Sequence, residues 1–251
     1  MLLAIDQGNS DVVFGLWDGS WKHVWRTPTI NQPASSYEAK MRQWLLEAEV
    51  PLSAANEIVL SSVVPEYKDQ LIEFCKTLLV KAPLVLGPNI YKKLGLKLYS
   101  PQEIGSDLVA NSVAVANKFP DTTSIVVDFG TALTLTTVHN HEILGVAIAP
   151  GLQTAVKSLF SHTAQLPEVP LKLPDSVLGH NTVHAIQSGV LHGYVGLVSH
   201  MIKKTAKESG AIKVVATGGL SSILEPLHSE FDTIEKNLTL DGLRLINEKL
   251  K

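Results

Sequence analysis

The segment Leu2-Leu3-Ala4-Ile5-Asp6-Gln7-Gly8-Asn9-Ser10 recurs in the second half of the chain as Ile125-Val126-Val127-Asp128-Phe129-Gly130-Thr131-Ala132. Each copy is an apolar run followed by Asp, any residue, Gly and then a small polar residue. A second strand-like run follows each copy within a few residues, at 12–17 and at 133–138. Apolar runs separated by a short glycine-containing turn are typical of β-hairpins. We therefore predict two hairpins that belong to a duplicated half-domain.

Further strands and several helices are predicted around these hairpins. Apolar runs predict strands at 58–64, 84–86 and 214–216, while apolar spacing and capping residues predict helices at 37–49, 66–80, 107–118, 152–161, 183–209 and 240–251. Strands mixed with helices in this way indicate an α/β protein. The Pro120-Asp121 step after the helix at 107–118 is a natural break. We expect two domains, at 1–118 and 119–251.

Composition excludes several classes of protein. The chain has 251 residues, of which 45% are hydrophobic, so it is long enough to bury a sizeable core. A formal net charge of -3 with scattered Lys and Arg provides no basic surface for nucleic acid. The single cysteine, Cys75, cannot form an intramolecular disulfide, and the sequence shows neither a signal peptide nor a run long enough to span a membrane. We expect a cytoplasmic protein that binds neither nucleic acid nor membranes.

The two Asp-x-Gly turns have a chemical interpretation as well as a structural one. A carboxylate at the end of a buried strand is costly unless it is paired, and a hydrated Mg²⁺ is a suitable partner. The glycine lets backbone N–H groups approach phosphate oxygens, and Asn9, Ser10 or Thr131 can add side-chain donors. The alternative is that Asp and Gly serve only as turn residues. Two copies in matching strand context favour phosphate binding, and hence an ATP-dependent kinase.

Two more glycine turns are candidates for ligand contact. Thr217-Gly218-Gly219 follows a predicted strand, and amides at such a position can bind an anion or lie against a nucleotide, although the turn could also be a simple connection. Pro150-Gly151 leads into a helix, where it is either a tight turn or a ligand contact.

Three glycines lie along one predicted helix, at Gly189, Gly193 and Gly196. Glycine inside a helix costs about 1 kcal/mol relative to alanine, so a close approach of another element would explain them. Either a dimer interface or tight packing within one subunit fits this pattern.

Taken in order along the chain, the motifs resemble type III pantothenate kinase, a family of the actin, sugar kinase and heat-shock chaperone ATPase superfamily. The resemblance runs along the whole chain. Its elements are Asp6-Gln7-Gly8-Asn9-Ser10, Tyr99-Ser100-Pro101, Gly105-Ser106-Asp107, Asp128-Phe129-Gly130-Thr131-Ala132, Gly145 with Pro150-Gly151, Asn181-Thr182-Val183 with Ala185-Ile186-Gln187-Ser188-Gly189, and Thr217-Gly218-Gly219.

This resemblance implies a fold and an activity. The fold is α/β, with two ribonuclease H-like (actin-like ATPase) domains and a nucleotide cleft between them, in a homodimer. The activity is the ATP-dependent phosphorylation of the primary hydroxyl of pantothenate to 4'-phosphopantothenate, the first step of coenzyme A biosynthesis. Mg²⁺ would travel with the nucleotide, and Asp128 would bind a monovalent cation, K⁺ or NH4⁺.

The resemblance also assigns roles to individual residues. Asp107 corresponds to the proton acceptor, and Thr182 is expected to reach across the homodimer interface to the substrate. The residues expected to bind pantothenate are Tyr99, Gly105, Ser106, Asp107, Leu108 and Thr182. The residues expected to bind ATP are Asp6, Gln7, Gly8, Asn9, Ser10, Asp11, Val12, Val13, Thr131, Gly218 and Gly219.

Two alternatives remain open on the residues themselves. Asp107 could act as an N-cap for the helix that follows, a position that both Ser106 and Asp107 favour. The chain also has Leu108 where the family pattern has arginine, and leucine offers no donors to a carboxylate or phosphate. A non-catalytic relative that keeps nucleotide binding, or a kinase acting on another small alcohol, are therefore the alternative functions.

Overall fold

The computed structural model describes residues 1–161 and 166–251, and these residues form two compact units. The first unit comprises Met1–Ala114 together with Thr239–Lys251, and the second comprises Val115–Leu238.

The first unit contains a five-stranded sheet. Its strands are β1 (Leu2–Gln7), β2 (Asp11–Trp17), β3 (Trp21–Pro28), β4 (Glu57–Ser62) and β5 (Leu84–Val85), in the order β3-β2-β1-β4-β5. The first three strands form an antiparallel meander, and β4 pairs in parallel with both β1 and β5. The helices are α1 (Ala34–Glu47), α2 (Pro65–Leu78), α3 (Pro88–Lys93) and the first part of α4 (Ser106–Lys118), with a 3₁₀ turn at Leu52–Ala54.

The second unit repeats this topology. Its strands are β6 (Thr123–Phe129), β7 (Ala132–His139), β8 (Glu142–Pro150), β9 (Ile212–Thr217) and β10 (Thr233–Ile234), in the order β8-β7-β6-β9-β10. Here too, three strands form an antiparallel meander, and the next two are parallel to the first strand of that meander. The helical segments are α5 (Leu152–Ser161), α6 (Thr182–Gln187), a π-helical stretch at Ser188–His192, α7 (Gly193–Ser209) and a 3₁₀ helix at Glu225–Glu230. The shared strand order confirms the duplication and the predicted α/β fold class.

The first strand of each unit contains a continuous apolar run, 2–5 in β1 and 125–127 in β6, because both faces of the strand are buried. In β1, Leu3 and Ile5 belong to one core of the first unit, while Leu2 and Ala4 belong to another. Strands that are buried on both faces have continuous hydrophobic sequences rather than alternating ones. This burial explains why the two Asp-x-Gly strands stand out in the sequence.

The last helix, α8 (Leu238–Lys249), packs within the first unit, which corrects the predicted domain division at residues 118 and 119. Leu243 and Ile246 of α8 are fully buried in the core that contains β1. A Cβ on Gly242 would lie 1.9 Å from the carbonyl oxygen of Ala110, so the backbones of α8 and α4 are in close contact. The N-terminal boundary also differs, because the division between the units falls inside α4.

The predicted elements are all present, with ends that differ by up to three residues from the observed ones. The predicted helix at 183–209 begins at Thr182 and contains the π-helical stretch. The strands β3, β8 and β10, helix α3 and the two 3₁₀ segments were not predicted. Within the described residues, every helix falls short of the length or apolarity that crossing a membrane requires.

Candidate active site

The first Asp-x-Gly turn is a compact loop that is held at its base. The amide N–H of Gly8 donates to the carbonyl oxygen of Asp11 at 2.9 Å, which closes the hairpin between β1 and β2. Thr29 supports the loop from the side, because its hydroxyl donates to the Gly8 carbonyl at 2.7 Å and its amide donates to the Ser10 carbonyl at 2.8 Å. Asn9, Ser10 and Asp11 are exposed. The loop therefore presents polar groups from a fixed backbone.

Gln7 carries a polar atom that is buried without a partner. Its side chain is fully buried, and its Oε1 accepts a hydrogen bond from the Ser62 hydroxyl at 2.7 Å. Its Nε2 has no hydrogen-bond partner among the residues that the structure describes. A buried donor without a partner costs about 1–3 kcal/mol, so an acceptor such as a phosphate oxygen would be bound favourably here.

The second Asp-x-Gly turn is supported by the Pro150-Gly151 segment. The amide of Gly151 donates to the Thr131 carbonyl at 3.0 Å, and the hydroxyl of Thr154 donates to the same oxygen at 2.8 Å. A Cβ on Gly151 would lie 2.2 Å from the carbonyl oxygen of Gly130, so only glycine fits. Pro150-Gly151 is thus more than a tight turn, since it fixes the backbone of the second loop.

Gly218 also lies directly against this second turn. Its φ is +90°, which favours glycine, and a Cβ there would lie 2.6 Å from Oδ1 of Asp128. The contact arises because β6 and β9 are parallel neighbours in which Asp128 is paired with Thr217. The three glycine turns of the second half that the sequence shows separately therefore meet at one edge of one sheet.

Asp107 lies in the first turn of α4, half-buried. Its Oδ1 accepts a hydrogen bond from the Leu108 amide at 2.8 Å. Burial raises the pKa of Asp107, and the backbone hydrogen bond from Leu108 only partly offsets this rise. The helix starts at Ser106, so Asp107 lies inside the first turn rather than at the capping position.

Gly105 provides the space that the Asp107 carboxylate occupies. A Cβ at position 105 would lie 2.4 Å from Oδ1 of Asp107, far closer than a carbon and an oxygen can approach without displacement. Any other residue at this position would force the carboxylate to move.

The remaining predicted substrate residues lie in different environments. Leu108 is buried, with 7% of its surface exposed, whereas Tyr99 is 82% exposed. Ser106 is buried, and its hydroxyl bonds to β4. Thr182 is exposed at the first residue of α6, where the helix is capped by the side chain of Asn181.

Tyr91 is a residue that the sequence argument missed. It is almost completely buried on α3, and burial raises its pKa to about 12. The negative charge of Asp107 adds to this rise, so the phenol is neutral at every physiological pH. Tyr91 lies outside the sequence motifs, in which the tyrosine is Tyr99.

The three helical glycines do not pack within the subunit. No described atom lies within 4 Å of a Cβ built on Gly189, Gly193 or Gly196, and all three are exposed. Tight packing within one subunit, one of the two interpretations of these glycines, is therefore wrong for the described part of the chain.

Comparison with known proteins identifies the family. The family model of type III pantothenate kinase matches residues 2–204. A protein of Geobacillus sp. (strain WCH70) named type III pantothenate kinase is 36% identical over 253 residues, which cover 99% of this chain and 98% of that protein. One of Anaeromyxobacter sp. (strain Fw109-5) with the same name is 39% identical, with 99% of both chains covered.

Solved structures support the fold. The structure of MreB 5 of Spiroplasma citri bound to AMPPNP aligns with a TM-score of 0.55 and 10% identity, covering 99% of this chain and 96% of that one. The family model and the full-length matches in sequence show that this chain belongs to the type III pantothenate kinase family, whose reaction is the ATP-dependent phosphorylation of pantothenate.

Proposed function

We propose that Asp107 is the residue that accepts the proton of the pantothenate hydroxyl during phosphoryl transfer. The observation that carries this proposal is the Asp107 carboxylate itself, which lies in the first turn of α4 with its Oδ1 held by the Leu108 amide. Phosphoryl transfer proceeds through a loose transition state, so the base needs correct placement more than strength. The raised pKa of Asp107 nevertheless increases its affinity for the proton.

Two groups of residues are proposed to bind ATP. The first loop, Asp6 to Val13 with the buried Nε2 of Gln7, would contact phosphate oxygens, and the fixed hairpin base supports this role. The second group is Thr131 with Gly218 and Gly219, supported by the contacts that fix the second loop. A divalent metal accompanies ATP in kinases and needs only one or two protein carboxylates.

Asp128 is proposed to bind the monovalent cation, K⁺ or NH4⁺. It is half-buried at the end of β6, and the missing side chain of Gly218 lets the backbone approach its Oδ1 closely. A carboxylate oxygen with adjacent backbone is a suitable environment for a weakly hydrated cation.

The substrate site is proposed to use Gly105, Leu108 and Tyr99, with Thr182 contributed by the second subunit of a cytoplasmic homodimer. The exposed face of Gly189, Gly193 and Gly196 supports a dimer interface, because helices approach each other closely where side chains are absent. The exposed Val183, next to Thr182, adds apolar surface to the same region.

The direct test is an assay of the purified protein with ATP, Mg²⁺ and pantothenate, in separate reactions with K⁺, NH4⁺ or Na⁺. We expect 4'-phosphopantothenate, with more product in K⁺ or NH4⁺ than in Na⁺. Absence of product under every cation would refute the substrate, and a panel of other small alcohols would then identify a different acceptor. ATP binding without turnover on any of them would establish the non-catalytic alternative.

The role of Asp107 is tested by Asp107→Asn, which preserves shape and removes the charge. We expect ATP affinity close to that of the unmodified protein and a turnover number lower by orders of magnitude. Unchanged turnover would show that Asp107 only stabilises the helix start.

A further inference from the structure

Strand β4 ends in two consecutive serines, and the Ser61 hydroxyl and the Ser62 backbone both bond to Ser106 at the beginning of α4. The hydroxyls of Ser61 and Ser106 are 2.8 Å apart. The amide N–H of Ser62 donates to the Ser106 hydroxyl oxygen at 3.1 Å, and that hydroxyl lies 3.2 Å from the Ser62 carbonyl oxygen. Ser106 immediately precedes Asp107, so these contacts fix the residue next to the proposed base.

The donors and acceptors of this group can be satisfied together. If the Ser106 hydroxyl donates to the Ser62 carbonyl, it accepts from both the Ser62 amide and the Ser61 hydroxyl. One donor and two acceptor positions are the full capacity of a hydroxyl group. Ser61 is fully buried and Ser106 is 5% exposed, so water cannot readily replace these bonds.

The other side of Ser62 faces the first phosphate loop. Its hydroxyl donates to Oε1 of Gln7 at 2.7 Å and accepts from the amide of Val64 at 3.2 Å. The amide of Val63 donates to the backbone carbonyl of Gln7 at 3.0 Å. The end of β4 is therefore bonded to the first loop on one side and to the start of α4 on the other.

We propose that Ser61, Ser62 and Ser106, which we call the serine clamp, are positioning residues that hold Asp107 at a fixed distance from the first phosphate loop. This inference rests on the proposed role of Asp107 as proton acceptor. Neither Ser61 nor Ser62 needs to touch substrate for this role. The clamp acts through Asp107, because a misplacement of about 1 Å in a reacting group can cost about 100-fold in rate.

The principal variant is Ser106→Ala, compared with Ser112→Ala as the matched control. Ser112 lies on the same helix and is equally buried, but its hydroxyl donates to the Leu108 carbonyl at 2.7 Å and makes no bond to β4. Both variants remove one buried hydroxyl. We expect kcat to fall about 10-fold to 100-fold in Ser106→Ala, with ATP affinity measured by calorimetry unchanged, and kcat to stay within about 2-fold in Ser112→Ala.

The decisive measurement adds Ser106→Ala to Asp107→Asn. If the clamp acts through the carboxylate, then the double variant should have the same residual single-turnover rate as Asp107→Asn alone. The acidic limb of the kcat profile against pH should also shift in Ser106→Ala and not in Ser112→Ala. A purely structural role would lower the rate equally in both backgrounds and leave the pH profile in place.

The outcomes separate the clamp from the proposed base. If Asp107→Asn turns over normally, the role of Asp107 fails. Two results would refute only the clamp, provided that Asp107→Asn is impaired. In the first, Ser106→Ala lowers the rate by the same factor in the unmodified protein and in Asp107→Asn. In the second, Ser106→Ala has the same rate as Ser112→Ala. Should Ser106→Ala fail to fold, Ser61→Ala provides the same test, because it removes the hydroxyl partner and leaves the bonds between Ser106 and the Ser62 backbone intact.

Discussion

Replacing Gly105 with alanine should separate catalysis from stability. The added Cβ would lie 2.4 Å from Oδ1 of Asp107 and 3.5 Å from Cγ1 of Val63, so the carboxylate is the only severe conflict among the described neighbours. The φ of Gly105 is not in the positive region, and alanine can therefore adopt the same backbone conformation. The substitution displaces the proposed base without disturbing the fold around it.

The size of the effect follows from this distance. An ordinary contact between carbon and oxygen is about 3.4 Å, so the 2.4 Å separation requires the carboxylate to move by about 1 Å. Such a displacement is expected to lower kcat about 100-fold, which corresponds to about 2.7 kcal/mol of transition-state stabilisation. The free energy of unfolding should change by only about 1 kcal/mol, because the carboxylate is half-exposed and water can replace its lost hydrogen bond.

Steady-state kinetics and urea unfolding measure the two quantities. Gly87→Ala is the matched control, because it is in the same unit, has an extended backbone and has no atom within 4 Å of the added Cβ. It should cost a similar small amount of stability at the start of α3 while leaving kcat unchanged. If Gly105→Ala turned over at the normal rate, the Asp107 carboxylate would not need its observed position, and the proposed mechanism would be refuted.

Three further predictions concern other parts of the molecule. Gly151→Ala should weaken ATP affinity, measured by calorimetric titration, at least 10-fold, because the added Cβ displaces the second loop. Gly145→Ala is the control, because its added Cβ meets open space, and it should bind ATP with normal affinity. Because burial raises the pKa of Asp107, the acidic limb of kcat/KM against pH should lie above the ordinary Asp value of about 3.9. For the same reason, Asp107→Asn should melt at a higher temperature than the unmodified protein at pH 7. This difference should disappear below about pH 3.9, where Asp107 is protonated in both the folded and the unfolded state. Gly242→Ala should lower the free energy of unfolding by about 1–3 kcal/mol or more, measured by urea unfolding, because its Cβ would meet the carbonyl of Ala110 at 1.9 Å.

Local patterns were sufficient to predict the two hairpins and most helices. The residues that specify a hairpin, an apolar strand and the glycine turn after it, are neighbours in the sequence. A hairpin can therefore be predicted from the local sequence alone. Strand β3 was missed because Lys22 and Arg26 alternate with aromatic residues on this edge strand, which is only partly buried. Helix α3 was missed because six residues are too few to show helical periodicity.

Contacts between distant residues could not be predicted in this way. The periodicity of the last helix predicts its length but not the unit in which it packs, which depends on the contact between Gly242 and Ala110. The same holds for Gly105 in the first unit and for Gly151 and Gly218 in the second, where a neighbouring group occupies the space that a side chain would need. In the sequence each of them is equally consistent with an ordinary turn.

The duplicated sheets have different residues at equivalent positions beside their Asp-x-Gly turns. In both units, the strand that carries the Asp-x-Gly turn is paired in parallel with another strand, so that Asp6 lies beside Ser61 and Asp128 lies beside Thr217. In the first unit the neighbouring strand continues with a second serine, and its hydroxyl donates to Oε1 of Gln7 in the Asp-x-Gly turn. In the second unit it continues with Gly218, which allows the backbone to approach the carboxylate of Asp128 closely. Ser62 and Gly218 thus occupy equivalent places. Ser62 adds a side-chain hydrogen bond to the Asp-x-Gly turn of the first unit, and Gly218 lets the backbone approach the Asp-x-Gly turn of the second unit, so the repeated topology is the same while the residues that support each turn differ.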